Sequence, residues 1–161
     1  ERNALIAQNP GACAPWQGCI VTRDSVPLRT QKLVRSRAGH CCEYCLLPQL
    51  WQESTFHLDH VRPRSAQGGS HPDNLALACV GCSLKKGSQT KGTDPASGKP
   101  TRLFNPRIDH WKEHFAWNGH WRIVGLTPIG RATVVVLVLN PDRLIEIRRD
   151  LASVGRYPPT W

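Results

Sequence analysis

The chain has 161 residues and carries 21 lysines and arginines against 12 aspartates and glutamates, a formal net charge of +9. That length supports one modest core rather than two full domains, and the positive balance fits a polyanionic partner such as nucleic acid. No run of about 18 apolar residues is present to make a membrane span, and the opening ERNALIAQNPGACAPWQGC lacks the basic-then-apolar order of a secretory signal, so the cytoplasm is the expected compartment.

Residues 1–28 are rich in proline, glycine and small residues, contain Cys13 and Cys19, and show no period, which predicts an irregular N-terminal extension. With no methionine anywhere in the chain, Glu1 is expected to be a processed or trimmed start. A core follows over residues 29–88. In PLRTQKLVRSRAGHCC, Leu28, Leu33, Val34 and Ala38 recur at imperfect helical spacing and Gly39 can cap the helix. Two short strands are expected between Gln49 and His60, the second being TFHLDHV. A loop runs from Arg62 to Asp73, marked by Pro63, Gly68, Gly69 and Pro72, and NLALACVGCSLKKG then gives apolar alternation and a short helix stopped by Gly87.

Residues 89–100, polar and interrupted by glycine and proline, read as a linker and as the clearest boundary in the chain. Beyond it, residues 101–161 form a second element, α/β or helical, that packs on the core and holds Trp111, Trp117, Trp121 and Trp161. The run TPIGRATVVVLVLN is ambiguous, because its valines favour a strand while Thr127 before Pro128 favours a helix start. Residues 141–154 read as a helix opened by Pro141 and stopped by Gly155. No internal repeat is evident.

Of the seven cysteines, four form two Cys-x-x-Cys pairs, Cys42 with Cys45 and Cys79 with Cys82. Thiolates two residues apart reach one tetrahedral ion from a single turn, and two such knuckles complete a four-sulfur zinc site. Residues 46–78 separate the knuckles, more than the usual ribbon gap of about 15–20, so the zinc pins the base of a larger inserted unit. The alternatives are four buried free thiols or a dithiol redox motif, and a redox motif would leave the second pair unexplained. Cys41 competes with Cys42 for the ligand position.

Inside that frame lie FHLDHVRPRSAQGG and HPDNLALAC. Asp59 and His60 pair a hard oxygen donor with a base that titrates near neutrality, which suits phosphodiester hydrolysis. Strand neighbours point to opposite faces, so both can serve one site only where the strand ends or bends, as Arg62-Pro63 allows. With CEYC, CSLKKG and, further on, LFNPRIDHWKEHF and IVGLTPIGRATV, these stretches resemble an HNH endonuclease, closely over residues 33–87. The resemblance implies an α+β fold, a small ββα-metal (His-Me finger) core stapled by the four-cysteine zinc site, with a C-terminal helical extension. It implies that His60 activates water, that Asp59 binds a catalytic Mg2+ or Mn2+, and that Asn74 ties the loop so the base is oriented. The third signature position, after the last zinc cysteine, is usually histidine or asparagine and a metal ligand. Here it is Ser83, a poorer ligand, with His57, His71 or Lys85 as residues that could adjust the site. His57 could equally be a strand residue packed against the hairpin.

Arg35, Arg37, Arg62, Arg64, Lys85 and Lys86 flank this region and could hold DNA phosphates, giving affinity without base reading. A zinc deaminase would use His57, Cys79 and Cys82, but its pattern needs a glutamate where Asp59 stands and a proline where Ala78 stands, and it leaves Cys42 and Cys45 unused. A scaffold without a nucleic-acid partner leaves the charge and the Asp59, His60 and Asn74 set unexplained. The sequence therefore predicts a zinc-stabilised, metal-dependent DNA endonuclease or nickase; the alternative is a zinc-held binding module that cuts weakly or not at all, for which Ser83 is the best argument.

Overall fold

The computed structural model describes residues 25–159, so the expectations for residues 1–24, including Cys13 and Cys19, and for Trp161 lie outside it. Helix α1 spans Leu28–Arg37 and buries Val34. It stops where Gly39 and then His40 take positive φ angles of 54° and 56°, turning the chain directly into the first cysteine pair.

The first of the two strands expected after Gln49 is absent. Residues Gln49–Trp51 form a 3-10 turn instead. The cause is local: the Gln49 side chain accepts a hydrogen bond from Phe56 N and donates one to Ser54 O, so this loop satisfies itself without a strand partner. Strand β1, His57–His60, pairs instead with β2, Leu75–Ala78, in antiparallel register from His57 opposite Ala78 to His60 opposite Leu75. β2 packs against both α1 and the following helix α2, Val80–Lys86. All four residues of its LALA run are therefore buried, as a strand covered on both faces requires. Cys79 Sγ caps α2 by accepting from Cys82 N, and Gly87 ends the helix at φ 49°.

The segment read as a linker is a β-hairpin, β3 (Lys91–Thr93) against β4 (Pro100–Arg102). Its turn is organised around one buried carboxylate. Asp94 is buried at the turn, accepts from Ser97 Oγ and Ala96 N, and takes a bidentate pair from Arg131 at 2.7 and 2.9 Å. That guanidinium holds the Asp94 carboxyl well below its usual range.

Helix α3 (Trp111–His114) leads into a second hairpin, β5 (Phe115–Trp117) with β6 (Ile123–Gly125). The valine-rich run is helical, as α4 (Pro128–Val136). The Thr127 hydroxyl accepts from Gly130 N and Pro128 opens the first turn, which decides the ambiguity for helix. Backbones meet closely there: a Cβ on Gly130 would lie 2.0 Å from His114 O, and one on Gly125 2.2 Å from Arg131 N. α5 (Asp142–Ser153) follows Pro141 as the sequence suggested.

One apolar core runs from Val34 through Leu75 and Leu77 to Phe104, Phe115, Leu137 and Leu139. The C-terminal elements also grip the first knuckle at three consecutive residues. Arg107 pairs with the Glu43 carboxylate, Trp111 Nε1 donates to Tyr44 O at 3.0 Å, and Tyr157 OH donates to Cys45 O at 2.9 Å.

Candidate active site and metal centre

The two cysteine pairs meet beneath the β1–β2 hairpin. Cys42, Cys45, Cys79 and Cys82 are all buried, and their four sulfurs lie within 4.8 Å of one another. Cys45 Sγ and Cys79 Sγ are 3.8 Å apart, the separation of about 3.8 Å that two thiolates about 2.3 Å from one tetrahedral ion would have. Crowding the sulfurs pushes the Cys42 thiol up by burial and the Cys82 thiol up through its sulfur neighbours, while hydrogen bonds from those neighbours hold the Cys45 thiol well below its ordinary value. Four such groups ionise together only around a cation, so the set fits a metal ion such as zinc. Cys41 stands outside it: its thiol donates to Gly39 O and its backbone bridges to Pro48, which leaves Cys42 as the member of the pair with Cys45.

Asp59 and His60 end β1, and the chain bends at once into residues 61–74. Both line one open cleft of about 480 Å³, with Arg64, Ser65, Ser83 and His57 on the same walls. The strand's end thus brings strand neighbours to one site. Asn74 fastens the loop at both ends: its Oδ1 accepts from Arg62 N at 2.8 Å, and its Nδ2 donates to Arg62 O at 3.0 Å and Gly69 O at 2.8 Å. Val61 N adds a bond to Asn74 O. Gly68 is required by this closure, because a Cβ there would fall 1.8 Å from Arg62 O and 2.9 Å from Asn74 Nδ2.

His60 Nε2 lies 3.0 Å from Ser70 Oγ in the tied loop, which fixes the ring. Burial lowers the His60 pKa below its ordinary value, aided by the charges of Arg64 and Lys86 and opposed by Asp59, so the neutral imidazole is favoured near pH 7. Asp59 is 8% exposed, and its Oδ2 accepts from Tyr44 OH at 2.8 Å and from Lys86 Nζ at 3.0 Å. Burial raises its carboxyl above the ordinary range against the pull of Lys86, Tyr44 and His60. Both bonds use Oδ2, so Oδ1 is the oxygen left for a divalent cation; a hard oxygen donor in an open cleft fits such an ion.

The six basic residues separate into different roles. Lys86 does not lie on the surface: it is 1% exposed, with its ammonium on Asp59 and His60 O, because the last turn of α2 points it under β1. The assignment of Lys86 to phosphate contact is corrected on that ground. Arg35 donates to Phe56 O, Arg37 to Pro72 O and Leu75 O, and Arg62 to Ala66 O, so these guanidiniums brace the ends of β1, β2 and the loop. Arg64 lines the cleft, and Lys85 is exposed on α2. Sequence reasoning missed Tyr44, Ser70 and the internal role of Lys86. No period or spacing marks them; only the packing of the first cysteine knuckle and α2 against β1 and the closure of the loop bring them to Asp59 and His60.

Among the described residues, no helix is long and apolar enough to cross a membrane. No curated protein and no solved structure matches the chain. A family model described as HNH endonuclease matches residues 42–89. That match covers both cysteine pairs, the hairpin, the tied loop and α2, so residues 42–89 are similar to the HNH endonucleases in the segment that holds the candidate site.

Proposed function

We propose that this protein is a metal-dependent DNA endonuclease or nickase, with Zn2+ in the four-cysteine site as a structural ion and Mg2+ or Mn2+ at Asp59. The observation that carries the reading is the joint opening of Asp59 and His60 into one cleft whose loop Asn74 ties shut. With Nε2–H donating to Ser70, the His60 Nδ1 lone pair is the base. It takes a proton from water as the hydroxide attacks phosphorus in line; the P–O3′ bond breaks and the 3′ oxygen is protonated by solvent. A cation bound at Asp59 supplies the positive charge that stabilises the phosphoryl and leaving oxygens. Asn74 and Gly68 keep the loop closed so that His60 stays aimed, since a displacement of about 1 Å can cost about a hundredfold in rate.

The partner in this reading is DNA, held through its phosphates. Arg64, on the wall of the cleft, and the exposed Lys85 are best placed for that, with the N–H groups of Arg35, Arg37 and Arg62 not used in bracing as further candidates. A four-thiolate site also suits the reducing cytoplasm. The second reading, a zinc-held nucleic-acid-binding module that no longer cuts, is favoured by Ser83 at the third signature position and by the Lys86 ammonium already on Asp59.

Supercoiled plasmid incubated with Mg2+, Mn2+ or chelator, beside His60→Ala, tests the two. Nicking or linearisation that needs added metal and vanishes in the variant supports the nuclease. Plasmid that shifts in mobility but is never cut supports the binding module.

A further inference from the structure

One carboxylate oxygen is a thin hold on a divalent ion, especially with an ammonium 3.0 Å from the other oxygen of the same group. Hard cations keep several waters, but they need protein anchors that fix their position. Ser83, where the HNH resemblance places the second anchor, offers only a neutral hydroxyl, and that hydroxyl is already engaged: its Oγ lies 3.0 Å from His57 Nδ1.

His57 stands two residues before Asp59 in β1, so the two side chains leave the same face of the strand. Together with Ser83 they line the one cleft. The imidazole is exposed, and its bond to Ser83 uses Nδ1 rather than Nε2. A histidine packed into the hairpin would be buried among apolar groups, which His57 is not. When the Ser83 hydroxyl accepts Nδ1–H, the lone pair falls on Nε2, the arrangement by which proteins orient imidazoles that bind metals.

We propose that His57 is the second protein ligand of the cation held at Asp59, and that Ser83 is a positioning residue that orients His57 rather than a ligand itself. The second anchor has moved from helix α2 to strand β1. This rests on the nuclease reading of the cleft and adds a consequence for metal choice. An imidazole beside one carboxylate favours transition ions such as Mn2+ over Mg2+ more strongly than an all-oxygen set does.

The test is Mn2+ titration of the zinc-loaded full chain, followed by the EPR signal of free Mn2+, with Mg2+ as competitor and with zinc content and circular dichroism recorded for each variant. The unmodified protein is expected to bind one Mn2+, and Asp59→Asn to lose it. His57→Ala should weaken Mn2+ binding about tenfold or more and reduce the preference for Mn2+ over Mg2+. His57→Gln, which keeps a polar side chain on this exposed strand position, should do the same. Ser83→Ala should weaken it by a smaller factor, and Ser83→Asn added to His57→Ala should restore part of the loss by returning an anchor to the helix. Unchanged Mn2+ affinity and selectivity in both His57 variants, with loss in Asp59→Asn, overturns this inference and leaves the nuclease reading standing. No bound Mn2+ in the unmodified protein at millimolar metal overturns the inference and the cation of the nuclease reading together.

Discussion

Replacing Lys86 by methionine removes the ammonium and keeps most of the side-chain volume. Asp59 and Lys86 side chains are only 7% and 2% exposed, and the ammonium also donates to His60 O at 2.8 Å. The variant leaves a buried carboxylate whose one remaining partner is the Tyr44 hydroxyl, and a buried carbonyl without this donor. Breaking a buried pair from one side costs about 3–5 kcal/mol, because the surviving charge is uncompensated. In a chain of this size, a loss of that magnitude lowers the melting temperature by roughly 10 °C. Asp59→Asn in the Lys86→Met background removes the stranded charge while the amide oxygen can still accept from Tyr44, so the double variant should recover about half or more of the loss. Thermal and urea unfolding of the unmodified protein, both single variants and the double variant, with zinc in excess and no other divalent ion, complete the cycle. A Lys86→Met loss below about 1 kcal/mol, or a double variant no more stable than Lys86→Met, would refute the claim that Lys86 neutralises Asp59 in the folded interior.

Two further outcomes follow from the site. His60 acts as a base only when neutral, and burial lowers its pKa from 6.5, so the acid limb of plasmid cleavage should be centred below pH 6.5, with activity retained on the alkaline side. Arg64→Ala removes one of the charges that lower it, so the acid limb should move upward; a limb centred above pH 6.5, or unmoved by Arg64→Ala, counts against His60 as the base. Cys79→Ser, or strong chelation of the native protein, should release zinc and unfold the core cooperatively, because structural zinc contributes about 10–16 kcal/mol of apparent binding energy to such sites. A variant that stays folded and metal-free would show that the four sulfurs are not the fold's anchor.

The functional frame was legible in the chain because its elements are local. Cys-x-x-Cys spacing, the Asp59-His60 pair, the turn residues of the loop and Gly87 at the end of α2 each act within a few residues, and in the structure the four sulfurs cluster, Asp59 and His60 line one cleft and Gly87 ends the helix. What spacing could not reveal came from contacts between distant segments. The strand expected near Gln49 gave way to a 3-10 turn because a single glutamine side chain closes that loop. The polar segment at 89–100 reads as a linker until Arg131, far along the chain, neutralises its buried Asp94 and makes it a hairpin.

Lys86 shows the same division most clearly. Its identity and its helix were visible in CSLKKG, but whether the last turn of α2 points it at solvent or under β1 depends on how helix and hairpin pack, and that packing turned an expected phosphate contact into the partner of Asp59. Which residues gather at the sulfur cluster and the cleft could be read along the chain, since ligand spacing and turn formation are short-range. Which charges face each other in the interior could not, because burial and ion pairing depend on segments that meet only when the chain folds.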